Sequence, residues 1–375
     1  MEILKKGYGA FRLASRRRLS GGGGKEICEI ILEADGQLAY EPGDWLAVAP
    51  QNCREDVSRL LAVLAAPREM VVKLREGEMA IGQALSECFT IGEVPRQLAE
   101  LIATRCEGEK AKILGEAIDG DFNAFASGLS VCEFLETFAV KDLPIPDVLA
   151  SLRPLQPRLY SIASCPFSIA NGLRLIVTTA THLGRDGKLR FGVASSHVNR
   201  RLSVGDVLRA KVVSTKFRLP ADPNVDVLMV GPGAGLAPFI GFLERREWER
   251  KEKNSHGRNW LFFGDRHRAT DFIEENRLMA WLESGLLARL DLAFSRDQEK
   301  KIYVQDRIRE NGEEFHRWLA DGAHFYICGD GKRMAVDVEA AVLETFTRFG
   351  NLPHEAALEK IGEMKRSRRF QRDVY

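Results

Sequence analysis

The 375-residue chain carries 54 Lys and Arg against 53 Asp and Glu, a formal net charge of +1. So even a balance gives no electrostatic case for nucleic acid or an acidic membrane surface, and 45% apolar with 29% charged residues is ordinary for a globular protein. Single cores rarely grow past ~250 residues, so two or three domains are expected.

No apolar run approaches the ~18 residues needed to span a bilayer, and the opening "MEILKKGYGAFRLASRRR" lacks the apolar core of a signal peptide. The seven cysteines (Cys28, Cys53, Cys88, Cys106, Cys132, Cys165, Cys328) are scattered, with no C-x-x-C pair. That spacing argues against a disulfide framework and against a zinc or iron–sulfur site, so no metal is expected and a reducing cytoplasm is the compartment expected.

In chain order, "FRLASRRRLSGGGGKEICEIILEAD" predicts two strands joined at Gly21–Gly24, and "YEPGDWLAVAPQ" a further strand pair with a Pro-Gly-Asp turn. The glycine run lacks the Lys-Ser/Thr of a phosphate loop and no helix follows it, so it reads as a floppy hairpin tip. Residues 55–150 are mostly helical in pattern, for instance "EDVSRLLAVLA" and "LSVCEFLETFA". "LRLIVTTATHLGRDGKLRFGVAS" then predicts a hairpin turning at Gly184–Gly187. Short strands with turn signals on either side of a helical segment point to an antiparallel barrel that is discontinuous in sequence.

From about residue 225 strand and helix alternate. Strands are predicted at 225–230, 259–265, 288–295 and 324–330. In "DVEAAVLETFTRFG" the residues Val338, Ala341, Val342, Thr345, Phe346 and Phe349 keep the helical period, with Gly350 as the stop. Such alternation defines βαβ units and a parallel sheet covered on both faces, a doubly wound nucleotide-binding architecture. The domains expected are a barrel from 1–55 and 150–222, a helical connecting insert at 56–149, and a doubly wound α/β domain at 223–375.

At the start of that last domain, "VDVLMVGPGAGLAPFIGFLERRE" passes from an apolar strand through Gly231, Gly233 and Gly235 into a helix with Pro238 near its start. Glycines at such a junction let the backbone approach a ligand, and the first amides of the helix form a seat for phosphate. The spacing is not G-x-G-x-x-G, and a plain tight turn is the alternative. At the end of the third strand, "AFSRDQEKKIYVQ" groups Ser295, Arg296, Lys301 and Tyr303, a hydroxyl and cations suited to the extra phosphate of NADP. The fourth strand ends in "YICGDGKRMA", bringing Cys328 to the same edge.

These stretches, with "RLYSIAS", "GVASS", "FFGDRHRATDF" and the terminal "RRFQRDVY", stand in the order and spacing of the ferredoxin–NADP reductase superfamily. The chain resembles the FAD/NADPH half of diflavin reductases, particularly the flavoprotein subunit of bacterial sulfite reductase, over essentially its whole length. The resemblance implies FAD and NADPH as cofactors. It implies that Arg158 meets the flavin pyrophosphate, Tyr160 stacks on the isoalloxazine and Ser161 lies near the reactive flavin nitrogen, with Gly192, Val193 and Ser195 as a second FAD segment. Gly231, Gly233, Gly235 and Pro238 would cradle the NADPH pyrophosphate and ribose. Ser295, Arg296, Lys301 and Tyr303, with Gln305 beside them, would grip the 2′-phosphate. Ser161, Cys328 and Asp373 would surround the point of hydride transfer, and Tyr375 would cover the flavin.

The implied reaction is hydride transfer from NADPH to FAD, followed by release of single electrons. Acceptors implied are an FMN domain or flavodoxin-like partner, or an iron-based acceptor such as a sulfite reductase hemoprotein. One departure is that the chain starts directly at the FAD module, without the family's FMN domain. Either that domain has been cut away or electrons pass to a separate partner. Two other readings stay open: a general flavodoxin or ferredoxin reductase unconnected with sulfite, and a non-catalytic scaffold, against which Ser161, Cys328, Asp373 and Tyr375 argue.

Overall fold

The computed structural model describes residues 7–22, 24–75, 77–140 and 142–375. Gly23 of the glycine run and the first six residues of the expected barrel therefore lie outside the described residues.

Six strands form one mainly early sheet: β1 (Gly9–Arg18), β2 (Ile27–Ala34), β3 (Trp45–Ala49), β6 (Arg158–Ser161), β7 (Gly172–Thr178) and β10 (Val207–Val213). Their order is β6-β3-β10-β1-β2-β7, and β1–β2 and β2–β7 are antiparallel. An antiparallel bridge from Ile162, just past β6, to Leu175 in β7 joins the two ends of that order, as a barrel requires. "YEPGDWLAVAPQ" yields one strand rather than two. Its first half is spent on the turn into β3, where the Asp44 carboxylate accepts from the amides of Glu41 and Thr215.

Between β3 and β6 lie seven helices among the described residues, from Arg54–Val63 to Ile145–Ser151. A small hairpin of β4 (Val71–Leu74) and β5 (Gly77–Ala80) interrupts them. Helix Val131–Phe138 shows how locally the sequence acts: Ser130 and Glu133 form a reciprocal capping box, and Val131, Cys132, Phe134, Leu135 and Phe138 share the buried face. The insert owns its own core, built on residues such as Leu60, Ile81, Leu98, Phe134 and Val148. A second small hairpin, β8 (Thr181–Leu183) with β9 (Leu189–Phe191), turns at the Gly184–Gly187 stretch.

The late sheet is parallel, with order β13-β12-β11-β14-β15. Its strands are β11 (Val227–Val230), β12 (Asn259–Asp265), β13 (Arg289–Phe294), β14 (His324–Gly329) and β15 (Phe370–Val374). Helices α1 (Ala237–Lys253), α2 (Glu275–Glu283), α3 (Val304–Glu310), α4 (Gly312–Ala320), α5 (Met334–Arg348) and α6 (His354–Arg366) connect and cover it. Strand residues alternate between two cores. Val227, Met229, Leu261, Phe263 and Tyr326 join one, while Leu228, Val230, Trp260, Phe262 and Ile327 join the other. That is why β11 is apolar at every position and why β12 and β14 carry unbroken apolar runs through their centres.

The chain divides into two compact units: residues 1–10, 47–158 and 179–211, and residues 11–46, 159–178 and 212–375. The division falls inside β1, β3, β6 and β10.

Within the second unit a closed ring of six alternating charges links the strands of the early sheet to the helices of the late one. Arg17 pairs with Glu29 (3.1 Å), Glu29 with Arg174 (2.9 Å), and Arg174 with Glu244. Glu244 pairs with Arg277 (2.8 Å), Arg277 with Glu274 (3.0 Å), and Glu274 closes on Arg17 (3.0 Å). Arg174 and Glu244 are nine-tenths buried, and Glu244 also accepts from the Cys165 amide at 2.8 Å. Removing one partner from such a pair leaves an uncompensated buried charge, which costs ~3–5 kcal/mol. Glu244→Gln is therefore expected to lower the midpoint of thermal unfolding far more than Glu100→Gln, whose pair with Arg96 is half exposed on both sides. Thermal scans of the two variants check this, and equal midpoints would contradict it.

Candidate active site

The carboxyl edge of the parallel sheet gathers most of the sequence-predicted residues of the second unit. The Gly231–Pro238 junction comes first. A 3₁₀ turn, Gly233–Leu236, runs straight into α1, whose second residue is Pro238. Gly233 has φ +56°, the left-handed region in which glycine is favoured. Gly231 and Gly235 have a different reason. A Cβ on Gly231 would lie 2.6 Å from the Gly235 carbonyl oxygen and from the Phe239 ring, and one on Gly235 would run into the Cys328 carbonyl. Two of the three glycines are thus demanded by the protein's own backbone, where the turn from β11 passes against the end of β14. Only the Gly233 side is open, with the Asp265 carboxylate 3.4 Å from where a Cβ would stand.

Beyond β13, the Ser295 amide donates to the Asp265 carbonyl (2.9 Å) and the Arg296 amide to the Arg266 carbonyl (2.8 Å), fixing this loop to the end of β12. The side chains of Arg296, Lys301 and Tyr303 are exposed while Ser295 is half-buried. Gln305 is buried in α3, and its amide donates to Asp337 of α5 at 3.3 Å.

The centre of the site is Asp373. β15 lies parallel to β14, and Asp373 stands opposite Cys328 in register. The carboxylate is only 6% exposed. Its Oδ2 accepts from the Ser161 hydroxyl at 2.8 Å and from the Cys328 thiol at 3.8 Å. The indole N–H of Trp45 reaches both oxygens, at 3.1 Å each. Burial raises the Asp373 pKa, and the hydrogen bonds from Trp45, Ser161 and Cys328 work against that rise. Burial also pushes the Cys328 thiol well up, with the Asp373 charge adding to the effect, so Cys328 is a neutral donor. Among the described residues, the groups acting on Asp373 are neutral donors, with no cation among them. A buried carboxylate held by dipoles alone attracts a positive charge brought by a ligand.

Tyr375 follows β15 directly. Its backbone is pinned at both ends, its amide donating to Gly329 O (3.1 Å) and its carbonyl accepting from the Gly331 amide (3.1 Å), while its ring is 69% exposed. Tyr160 and Ser161 are half-buried in β6, and Arg158 at the start of that strand is exposed.

The first unit contains the Gly192–Ser195 segment. A short helix, Val193–Ser196, continues through a π turn, His197–Arg201, with Gly192 as N-cap. The Ser195 hydroxyl accepts from the Ala180 amide (3.0 Å) and donates to the Gly192 carbonyl (3.2 Å), so it braces the turn. Arg201 donates to the Val193 carbonyl (2.9 Å) from below. His197 is held neutral, its pKa lowered by burial to about 4, and its Nδ1 accepts the Gln51 amide at 3.2 Å.

The four-glycine tip behaves differently from its sequence reading. The Gly21 amide donates to the Thr270 carbonyl at 2.7 Å, and Lys25 pairs with the buried Asp265, so the tip is fastened at both flanks. Sequence reasoning also missed Trp45. The only signal was an aromatic placed directly after a Pro-Gly-Asp turn.

Two features fit a nicotinamide dinucleotide: the open Gly233 face at the start of a 17-residue helix, and a buried carboxylate without a cation a strand away. Comparison with known proteins agrees. Residues 5–197 match the FAD binding domain family, and residues 229–340 match the oxidoreductase NAD-binding domain. The chain belongs to the FAD binding domain family, with the ferredoxin–NADP reductase-like fold, and its cofactors are FAD and a nicotinamide dinucleotide. It is 39% identical over 361 residues to the sulfite reductase [NADPH] flavoprotein alpha-component of Cronobacter sakazakii, covering 94% of this chain and 58% of that protein. It is 36% identical over 371 residues to the protein of the same name from Aliivibrio fischeri (98% and 60%), and 37% identical over 361 residues to that from Shigella dysenteriae (94% and 58%). The chain thus spans about three-fifths of the length of these curated relatives. Among the described residues, no helix is long and apolar enough to cross a membrane.

The raised pKa of Asp373 has a consequence for stability. The folded state holds this proton more tightly than the unfolded chain, where an Asp titrates near ~3.9. Stability from this group is therefore fullest below that pH and is lost as pH rises through the folded value. Asp373→Asn removes the loss. Its thermal midpoint relative to wild type should climb with pH above about 4 and level off once Asp373 is ionised. A difference that stays flat from acid to neutral pH would contradict the assignment.

Proposed function

We propose that this chain is the FAD- and NADPH-binding part of an NADPH-dependent flavoprotein reductase that passes electrons to an FMN or flavodoxin-like acceptor, in sulfite reduction. The observation that carries the reading is the Asp373 carboxylate, buried and held only by neutral donors, between Cys328 and Ser161 at the end of the parallel sheet. The names of the relatives supply NADPH and sulfite. A hemoprotein that receives the electrons is the partner proposed, and the cytoplasm the compartment, in keeping with seven free cysteines.

We assign residues 1–55 and 150–222 to the FAD domain, 56–149 to the helical connecting insert, and 223–375 to the NADPH domain. When bound, FAD and NADPH supply the redox chemistry: NADPH gives two electrons as hydride, and FAD can release them singly. The residues do the rest. In the first unit, Arg158 and the Val193 amide would meet the flavin pyrophosphate, in a turn that Gly192 opens with its own amide given to the Ala180 carbonyl (2.8 Å) and that Ser195 braces. In the second, Tyr160 and Tyr375 offer ring faces to the isoalloxazine and Ser161 a hydroxyl to its edge. Gly231, Gly233, Gly235 and Pro238 shape the turn whose amides face the nicotinamide dinucleotide's pyrophosphate. Ser295, Arg296, Lys301 and Tyr303, with Gln305 beside them, would hold the 2′-phosphate. Asp373 would stabilise positive charge developing on a bound nicotinamide, and Cys328 would offer that ring a neutral thiol.

Anaerobic titration of the FAD-loaded protein tests this. One equivalent of NADPH should bleach the flavin, and only FAD should be recovered on release. In Arg296→Ala, half-bleaching at equilibrium should need roughly 10–100-fold more NADPH, with little change for NADH, because charge-assisted hydrogen bonds are lost only from the 2′-phosphate. Bound flavin that NADPH fails to bleach would overturn the function, and equal losses for both nucleotides would overturn the phosphate assignment.

A further inference from the structure

The Asp373 carboxylate has one neighbour whose role the reading above leaves unused. We infer that Trp45 is a positioning residue for Asp373: its indole N–H, shared between the two carboxylate oxygens, fixes where the carboxylate head sits and so keeps Oδ2 within reach of Ser161 and Cys328. This rests on the proposed role of Asp373 in the nucleotide site.

The geometry carries it. The indole nitrogen is 3.1 Å from Oδ1 and 3.1 Å from Oδ2, so it holds the carboxylate head as a whole rather than one oxygen. Ser161 and Cys328 both act on Oδ2 alone, at 2.8 and 3.8 Å. A hydroxyl rotates freely to follow its acceptor and a thiol is a weak donor, so neither holds the carboxylate head in place. A rigid indole, with one N–H and two side-chain torsions, does.

Trp45 is itself firmly mounted. It opens β3, immediately after a turn in which the Asp44 carboxylate takes the amides of Glu41 (2.9 Å) and Thr215 (3.0 Å) and pairs with Arg218. The Asp44 carbonyl accepts from the Ile162 amide at 2.9 Å, tying β3 to the chain just after Ser161. The donors Trp45 and Ser161 therefore hold a fixed mutual position, to which Asp373 is docked from β15.

The charge around Asp373 gives Trp45 a second consequence. The groups facing the carboxylate are Trp45 from β3, Ser161 from β6 and Cys328 from β14. On its own strand the nearest cation, Arg372, is paired with Glu339. With no cation facing the carboxylate among the described residues, the three neutral donors oppose the effect of burial, and the indole is the one that reaches both oxygens. Losing it favours the protonated acid.

The test uses the indole signals of the ¹⁵N-labelled protein. Of its five tryptophans, Trp45 is identified by the signal missing in Trp45→Phe. That signal should move with pH in a single step, and the step should vanish in Asp373→Asn. In Trp45→Phe, the pH midpoint of Asp373, read from its carboxyl stretch in the infrared, should rise by about one unit, a tenfold change in proton affinity. The pH profile of flavin reduction by NADPH should shift the same way. Trp45→His, which keeps a ring N–H, should restore both. A Trp45 signal indifferent to pH, or a Trp45→Phe protein with an unmoved midpoint, would overturn the inference. Because the indole titration needs no nucleotide, an indole that titrates in a protein NADPH cannot bleach would leave this inference standing and sink the proposed function instead.

Discussion

A carboxylate buried without a cation is unfavourable in itself, and at Asp373 the fold is arranged around keeping one. Three separate strands, β3, β6 and β14, each bring one neutral donor to it, and β15 is held in parallel register so that Asp373 falls opposite Cys328. None of these donors removes the charge; each lowers its cost. Such strain persists where it serves chemistry, because the same group would gain from a positive charge that forms only during reaction. The exposed ring of Tyr375 on a pinned backbone follows directly from that strand.

The donors belong to different parts of the chain, so their precision depends on how firmly the second unit is held together. The six-membered charge ring fixes β1, β2 and β7 against α1 and α2 through three buried carboxylates and the buried guanidinium of Arg174. The aromatic cluster of Phe217, Phe239, Phe242 and Tyr326 packs in the same unit with ring centres 5.3–6.1 Å apart. Arg218 works at this junction as well, pairing with Asp44 while its carbonyl accepts from the Tyr326 hydroxyl at 2.8 Å. The turn carrying Trp45 is thereby joined to β14, which carries Cys328.

Much of this was legible from sequence. Short runs between turn residues marked the early strands, and apolar runs marked β11, β12 and β14, because both faces of that sheet are covered. Ser161, Cys328 and Asp373, singled out in three distant segments, do meet. What stayed hidden depends on long-range partners. Trp45 and Asp373 are 328 residues apart, and nothing local in "YEPGDWLAVAP" says where an indole points. The glycines of "GPGAGLAP" were read as space for a ligand, whereas Gly231 and Gly235 are required by Phe239 and the Cys328 carbonyl. A missing Cβ looks the same in sequence whether a ligand or the protein's own backbone fills the gap. The β4–β5 hairpin was passed over because "VVKLREGEMA" is short and charged, and the fastening of the glycine tip lies in Thr270 and Asp265, far along the chain.

The central claim is that Asp373 acts by its charge, on the nicotinamide, during oxidation. Rapid mixing of the anaerobic FAD-loaded protein with saturating NADPH measures that step directly in wild type and in Asp373→Asn. The account predicts that the variant binds FAD as wild type does while flavin bleaching slows on the order of 100-fold, the cost of removing one charge-stabilising group from the transition state. Bleaching at the wild-type rate in Asp373→Asn would contradict it.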